Sequence, residues 1–140
     1  MTQSPDCLFC SMVSGAIPVQ RVYEDADTLV FLDIHPVNPG HLLVIPKEHA
    51  CDIRDVSDVS LAAVMRTVQK MARAVTAALH VEGVNVMQNT GRDAGQAIFH
   101  LHFHVIPRMP HDGHIHWAGH MYAEGEAGPL AQRIAAAIQS

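Results

Sequence analysis

The chain has 140 residues, 49% of them hydrophobic, only 9 Lys and Arg, and a formal net charge of −5. That much apolar material fills the core of a single ordinary domain over 1–140, and so few cations exclude a domain that grips a nucleic-acid backbone by charge neutralisation. No apolar run approaches the ~20 residues that span a bilayer, and 1–6 lacks the basic start and apolar block of a secretory signal, so the chain reads as cytoplasmic with a flexible lead over 1–6.

Cys7-Leu8-Phe9-Cys10 opens a short segment that Gly15 ends, the pattern of about two helical turns. At i and i+3 the two thiols share a face, which makes them either half of a zinc site or two small core residues. Three cysteines are an odd number and fit thiols or metal ligands better than a disulfide framework. Residues 19–24 and 28–34 follow as two strands, the second rich in β-formers. His35-Pro36-Val37-Asn38-Pro39-Gly40 is a loop, because two prolines and a glycine forbid regular structure. His41 then opens a buried-looking strand that runs to Pro46.

The period changes at Asp55. Leu61, Val64, Met65, Val68, Met71, Val75 and Leu79 recur at spacings of three and four, which predicts an amphipathic helix over 57–80. Residues 84–88 form a further strand. A polar loop with two glycines, 89–96, leads into His100-Leu101-His102-Phe103-His104-Val105-Ile106-Pro107. As a strand, that stretch puts three imidazoles on one face and Leu101, Phe103 and Val105 on the other. With a rise of ~3.3 Å per residue the outer two imidazoles start ~13 Å apart, too far for a single zinc with bonds of ~2.1 Å to hold all three. The three histidines therefore have different jobs. Beyond Pro110 an irregular His-rich stretch, 110–128, carries His111, His114, His116 and His120, and 129–138 reads as a short terminal helix. About five strands with one long helix and no βαβ repeat define an α+β fold with an antiparallel sheet.

The segment 100–106 resembles the signature of the histidine triad (HIT) family. Phe31-Leu32-Asp33-Ile34 through Pro39-Gly40-His41 to Pro46-Lys47-Glu48-His49 is similar to the nucleotide-binding half of that family, and 89–96 to its phosphate loop. The resemblance implies an enzyme that cleaves at the α-phosphate of a purine nucleotide derivative. His102 would be the nucleophile, forming a covalent nucleotidyl-histidine. His104 and His41 would belong to the phosphate and proton network, with Asn89 and Gln96 donating to phosphoryl oxygens. Asp33 would bind the ribose, and Ile34 would lie beside sugar or base. A neutral imidazole suits this role, being nucleophilic near neutral pH and a good leaving group when protonated.

The resemblance also implies a homodimer whose sheets pair across the interface. It further implies a structural zinc on Cys7, Cys10, His49 and His100, since a Cys₂His₂ set is a closed tetrahedral sphere. In one respect the chain departs from the family: Ala97 stands where the phosphoramidase branch carries a serine hydroxyl. The alternatives are a non-catalytic nucleotide-binding or protein-interaction module of the same fold, and a single catalytic metal on the three histidines. The expected partners are a purine nucleotide and a second copy of the chain, without nucleic acid or membrane.

Overall fold

The computed structural model describes residues 2–113 and 117–139, so His114 and His116 lie outside the described residues. In chain order the elements are α1 (Leu8–Val13), β1 (Arg21–Glu24), β2 (Thr28–Leu32), β3 (Leu42–Pro46), α2 (Asp58–Leu79), β4 (Gly83–Met87), a 3₁₀ turn (Arg92–Ala94), β5 (Phe103–Arg108) and α3 (Ala127–Ala136). The five strands form one antiparallel sheet in the order β1-β2-β3-β5-β4. The α+β reading holds. No helix among the described residues is long and apolar enough to cross a membrane.

Alternation along the strands sorts the side chains into two layers. Val30, Leu42, Val44, Leu101, Phe103 and Val105 face α2 and pack against its stripe of Val64, Val68, Met71 and Val75. Leu29, Phe31, Leu43 and Ile45 point to the other face, where Phe9 of α1 covers them. Burying a side chain of this size stabilises by about 1.5–3 kcal/mol, so these two clusters dominate the fold. The Ser57 hydroxyl caps α2 by accepting from the Ser60 amide at 3.2 Å, and the helix ends on His80 in the left-handed conformation, φ 54°.

Two expectations change. The histidine strand begins at Phe103, so His100 and His102 lie on the lead-in to β5. The reason is in their main chain: the His100 carbonyl accepts from the His102 ring at 2.7 Å and the Leu101 amide donates to the Ala50 carbonyl at 2.8 Å. Groups committed in this way cannot enter the ladder of a neighbouring strand. Ahead of α1, the Thr2 carbonyl accepts from the His49 amide at 2.7 Å and the Ser4 amide donates to Cys10 Sγ at 3.4 Å. Residues 117–126 carry no helix or strand, as expected of the tail, but α3 starts at Ala127 rather than Pro129. Proline is tolerated in a first helical turn because its missing N–H has no partner there.

Candidate active site and metal centre

The triad residues gather on the α1 face of the sheet. His104 lies in β5, paired with Leu43 of β3 on one side and Met87 of β4 on the other. His41 stands just ahead of β3. The loop before it is tied to β5 by the Asn38 side chain, which donates to the Pro107 carbonyl at 2.9 Å. Its last residue, Gly40, has φ 92°, and a Cβ there would meet the Leu79 side chain and the Pro107 ring. His102 is 7% exposed. Its ring is flanked by Phe9 edge-on, centroids 5.3 Å apart, and by His104 at 5.2 Å.

Backbone groups decide which nitrogens carry protons. A carbonyl only accepts, so His102 donates from Nδ1 to His100, and its Nε2 keeps a bare lone pair. The Val37 amide donates to His41 Nδ1 at 3.0 Å. His41 therefore carries its proton on Nε2, which lies 2.9 Å from His104 Nδ1 and 3.5 Å from Asp33 Oδ2. His104 Nδ1 accepts in turn, and its remaining proton sits on Nε2 as a donor. One main-chain amide thus sets two imidazoles in series. Burial pushes all three rings below the ordinary histidine value: His102 and His41 against the attraction of Asp33, and His104 to about 4 with help from its two neighbouring histidines. All three are neutral at pH 7. Asp33, His41 and His104 also form a cluster with the composition of a metal site. The proton on His41 Nε2 argues against that use, because a metal would need the lone pair there.

A second cluster lies behind His102. Cys7, Cys10, His49 and His100 bring one donor atom each to within 4.8 Å of one another. Cys7 Sγ is 3.4 Å from His100 Nδ1, Cys10 Sγ is 3.4 Å from His49 Nδ1 and 3.6 Å from His100 Nδ1, and the two Nδ1 atoms are 3.2 Å apart. A tetrahedron with Zn–N of about 2.05 Å and Zn–S of about 2.3 Å has N···N edges of about 3.3 Å and S···N edges of about 3.6 Å. The observed separations match. His100 donates from Nε2 to the Pro46 carbonyl at 2.8 Å, which strips Nδ1 of its proton and leaves its lone pair facing the sulfurs. Burial pushes the Cys10 thiol up, with the neighbouring Cys7 adding to the effect, an arrangement that a bound cation reverses. The residues present fit zinc. Cys51 is exposed and stands outside the cluster.

The remaining candidates occupy the loops around the histidines. Asp33 accepts from the His35 amide at 2.8 Å through Oδ1 and keeps Oδ2 toward His41. Ile34 is 85% exposed, an apolar side chain held out in water next to that carboxylate. Asn89 places its amide nitrogen beside Gly95. Gln96 is bonded to main-chain groups on three sides. Its Oε1 accepts from the Gly91 amide at 2.8 Å, and Nε2 donates to the carbonyls of Cys51 at 2.7 Å and Ile98 at 3.1 Å. Both of its amide hydrogens are thus taken up by main-chain carbonyls. Ala97 is exposed and offers no hydroxyl.

The sequence model of the HIT domain matches residues 14–111. An adenosine 5'-monophosphoramidase of Schizosaccharomyces pombe is 40% identical over 95% of this chain and 98% of its own length. Among solved structures, a HIT family protein of Bacillus subtilis superposes with a TM-score of 0.89 at 36% identity, covering 96% of this chain and 99% of that one. A zinc-bound histidine triad family protein of Mycobacterium smegmatis gives 0.74 at 43% identity, over 77% of this chain and 78% of its own. The chain belongs to the HIT family.

Proposed function

We propose that this histidine triad enzyme, a nucleoside phosphate hydrolase or transferase, cleaves at the α-phosphate of a purine nucleotide derivative through a covalent nucleotidyl group on His102. The observation that carries the reading is the 2.7 Å bond from His102 Nδ1 to the His100 carbonyl. It leaves Nε2 bare in a neutral ring, and it becomes stronger when phosphoryl transfer makes the ring cationic. His102 Nε2 attacks the phosphorus, the bond to the leaving group breaks, and the leaving group departs with the electron pair and gains a proton. Water then attacks the phosphorus, the N–P bond breaks, and the nucleoside monophosphate is released.

The other side chains support that displacement without forming bonds to phosphorus. His104, neutral and donating from Nε2, is placed to hold a phosphoryl oxygen or to protonate the leaving group, and His41 keeps it in that tautomer. Asn89 supplies a neutral donor from the loop. Asp33 accepts from ribose hydroxyls, for which a carboxylate makes short, strong bonds. Exposed Ile34 covers the sugar or base. The relative in Schizosaccharomyces pombe is named for phosphoramidate cleavage. With Ala97 offering no hydroxyl, the proton for an amine leaving group here falls to His104 or to water. Cys7, Cys10, His49 and His100 would hold a structural zinc, whose closed sphere ties α1 to the lead-in of β5. The chain acts as a homodimer in this reading, for which β1 and β4 each leave one strand edge open.

His102→Asn tests the assignment. Adenosine phosphoramidate and a diadenosine polyphosphate are supplied in turn, and released AMP is measured together with nucleotide affinity and a mass spectrum of protein denatured at alkaline pH, where the N–P bond survives. The parent gives turnover and a nucleotidyl adduct on the peptide containing His102. The variant loses both and keeps its affinity. Turnover by the variant at the parent rate refutes the nucleophile.

A further inference from the structure

Residues 49–52 connect the metal cluster to both ends of the segment that carries the nucleophile. His49 brings Nδ1 to the cluster. The next carbonyl, of buried Ala50, accepts from the Leu101 amide at 2.8 Å, between the ligand His100 and the nucleophile His102. The one after it, of Cys51, accepts from Gln96 Nε2 at 2.7 Å, and Gln96 in turn holds the Gly91 amide at the head of the polar loop. Beyond these carbonyls the strap is pinned again, since the Asp55 carboxylate accepts from the amides of Cys51 at 3.1 Å and Asp52 at 2.9 Å. Four consecutive residues therefore run from the metal donors, past Leu101 and Gln96, to a fixed carboxylate. His100 joins the same frame from the other side: its ring belongs to the donor set and its carbonyl holds the His102 proton.

We propose that this strap transmits occupancy of the zinc site to the reacting ring, and that Gln96 is the positioning residue that carries it on to the 91–96 loop. With the four donors gathered, Ala50 and Cys51 are held, and so are the pose of His102 and the shape of the loop. With the donors released, His49 swings free and both carbonyls loosen together. Gln96 touches no substrate in this scheme. Its amide sets where the loop amides point, and such positioning acts on the rate more than on affinity. The inference rests on the zinc and His102 assignments made above.

Hydrogen exchange of the folded protein, before and after zinc is withdrawn with a chelator and then restored, is the test. In the parent, chelation lowers protection of the Leu101 and Gly91 amides together by about tenfold or more, and zinc restores it. In Gln96→Ala, zinc content stays at the parent level, Gly91 is already unprotected, and chelation affects Leu101 alone. Gln96→Glu keeps the acceptor for Gly91 but loses both donors, and is expected to lower kcat by about 10–100-fold, the range seen for groups that orient a reactive ligand, with KM unchanged.

If chelation lowers the melting temperature but leaves both amides within about twofold of the loaded protein, the strap is refuted while the zinc site stands. Freshly purified protein with no zinc refutes both. A rise in KM with kcat preserved in Gln96→Glu means that Gln96 touches the phosphate directly, which also overturns the proposal. Failure of the His102 assignment is read separately, from turnover by His102→Asn.

Discussion

Gly40→Ala tests how tightly the fold holds His41. Gly40 has φ 92°, and a Cβ built there would lie 2.5 Å from Leu79 Cδ1 and 3.3 Å from Pro107 Cγ. A left-handed backbone costs a residue with a side chain about 1–2 kcal/mol, and crowding a packed site costs about 1–3 kcal/mol. Against this, alanine lowers the entropy of the unfolded chain and returns about 0.4–1 kcal/mol. The net loss is about 1–4.5 kcal/mol, which for a chain of this length lowers the melting temperature by roughly 3–15 °C. The Leu79 methyl can turn away, since that side chain is 39% exposed, but the contact with the Pro107 ring and the backbone strain are relieved only if the loop shifts. That displaces His41, whose Nε2 is 2.9 Å from His104, so kcat falls as well. Thermal melting and steady-state turnover measure the two effects. In a Leu79→Ala background the closest colliding atom is gone, and the cost of Gly40→Ala shrinks by about 1 kcal/mol. A melting temperature within about 2 °C of the parent, or an equal cost in both backgrounds, refutes the reasoning.

Two further perturbations probe the core and the protonation pattern. Leu101 is fully buried between His100 and His102 in the chain, so Leu101→Ala costs about 2–5 kcal/mol in a urea unfolding curve, while Leu101→Met costs less than about 1.5 kcal/mol. Equal costs would show that the site repacks freely. His41 and His104 titrate below the ordinary histidine value in the folded chain, so as pH falls through about 6.5 the unfolded state takes up protons first. Stability is full above that value and falls toward about pH 4, and the acid limb of kcat/KM lies below about 6.5. A urea midpoint unchanged between about pH 7 and about pH 5 contradicts that order of protonation.

The sheet and the long helix were legible because their side chains follow periods of two and of three to four. α2 was expected over 57–80 and spans Asp58–Leu79. Leu101, Phe103 and Val105 face α2 as the alternation requires. The start of β5 was not legible. Alternation continues through His100 and His102, but the Leu101 amide bonds to Ala50 and the His100 carbonyl to the His102 ring, partners that periodicity does not see. The direction of the Gln96 amide is set by a carbonyl 45 residues away in sequence. A glutamine in a glycine loop looks the same whether it faces a ligand or the interior. Half of the donor cluster, Cys7 and Cys10, could be read from spacing. His49 and His100 came only with the family resemblance, since 51 residues separate them from each other.

The Val37 amide, which donates to His41, belongs to the peptide bond and has no acid–base chemistry near neutral pH. A carboxylate in its place would let protons shuttle inward and let the tautomers of His41 and His104 exchange. The amide closes the Nδ1 side of His41 to proton exchange, so a proton can pass to or from that ring only through Nε2, which faces His104 and Asp33. No side-chain substitution at position 37 removes it except proline, which takes away the N–H itself.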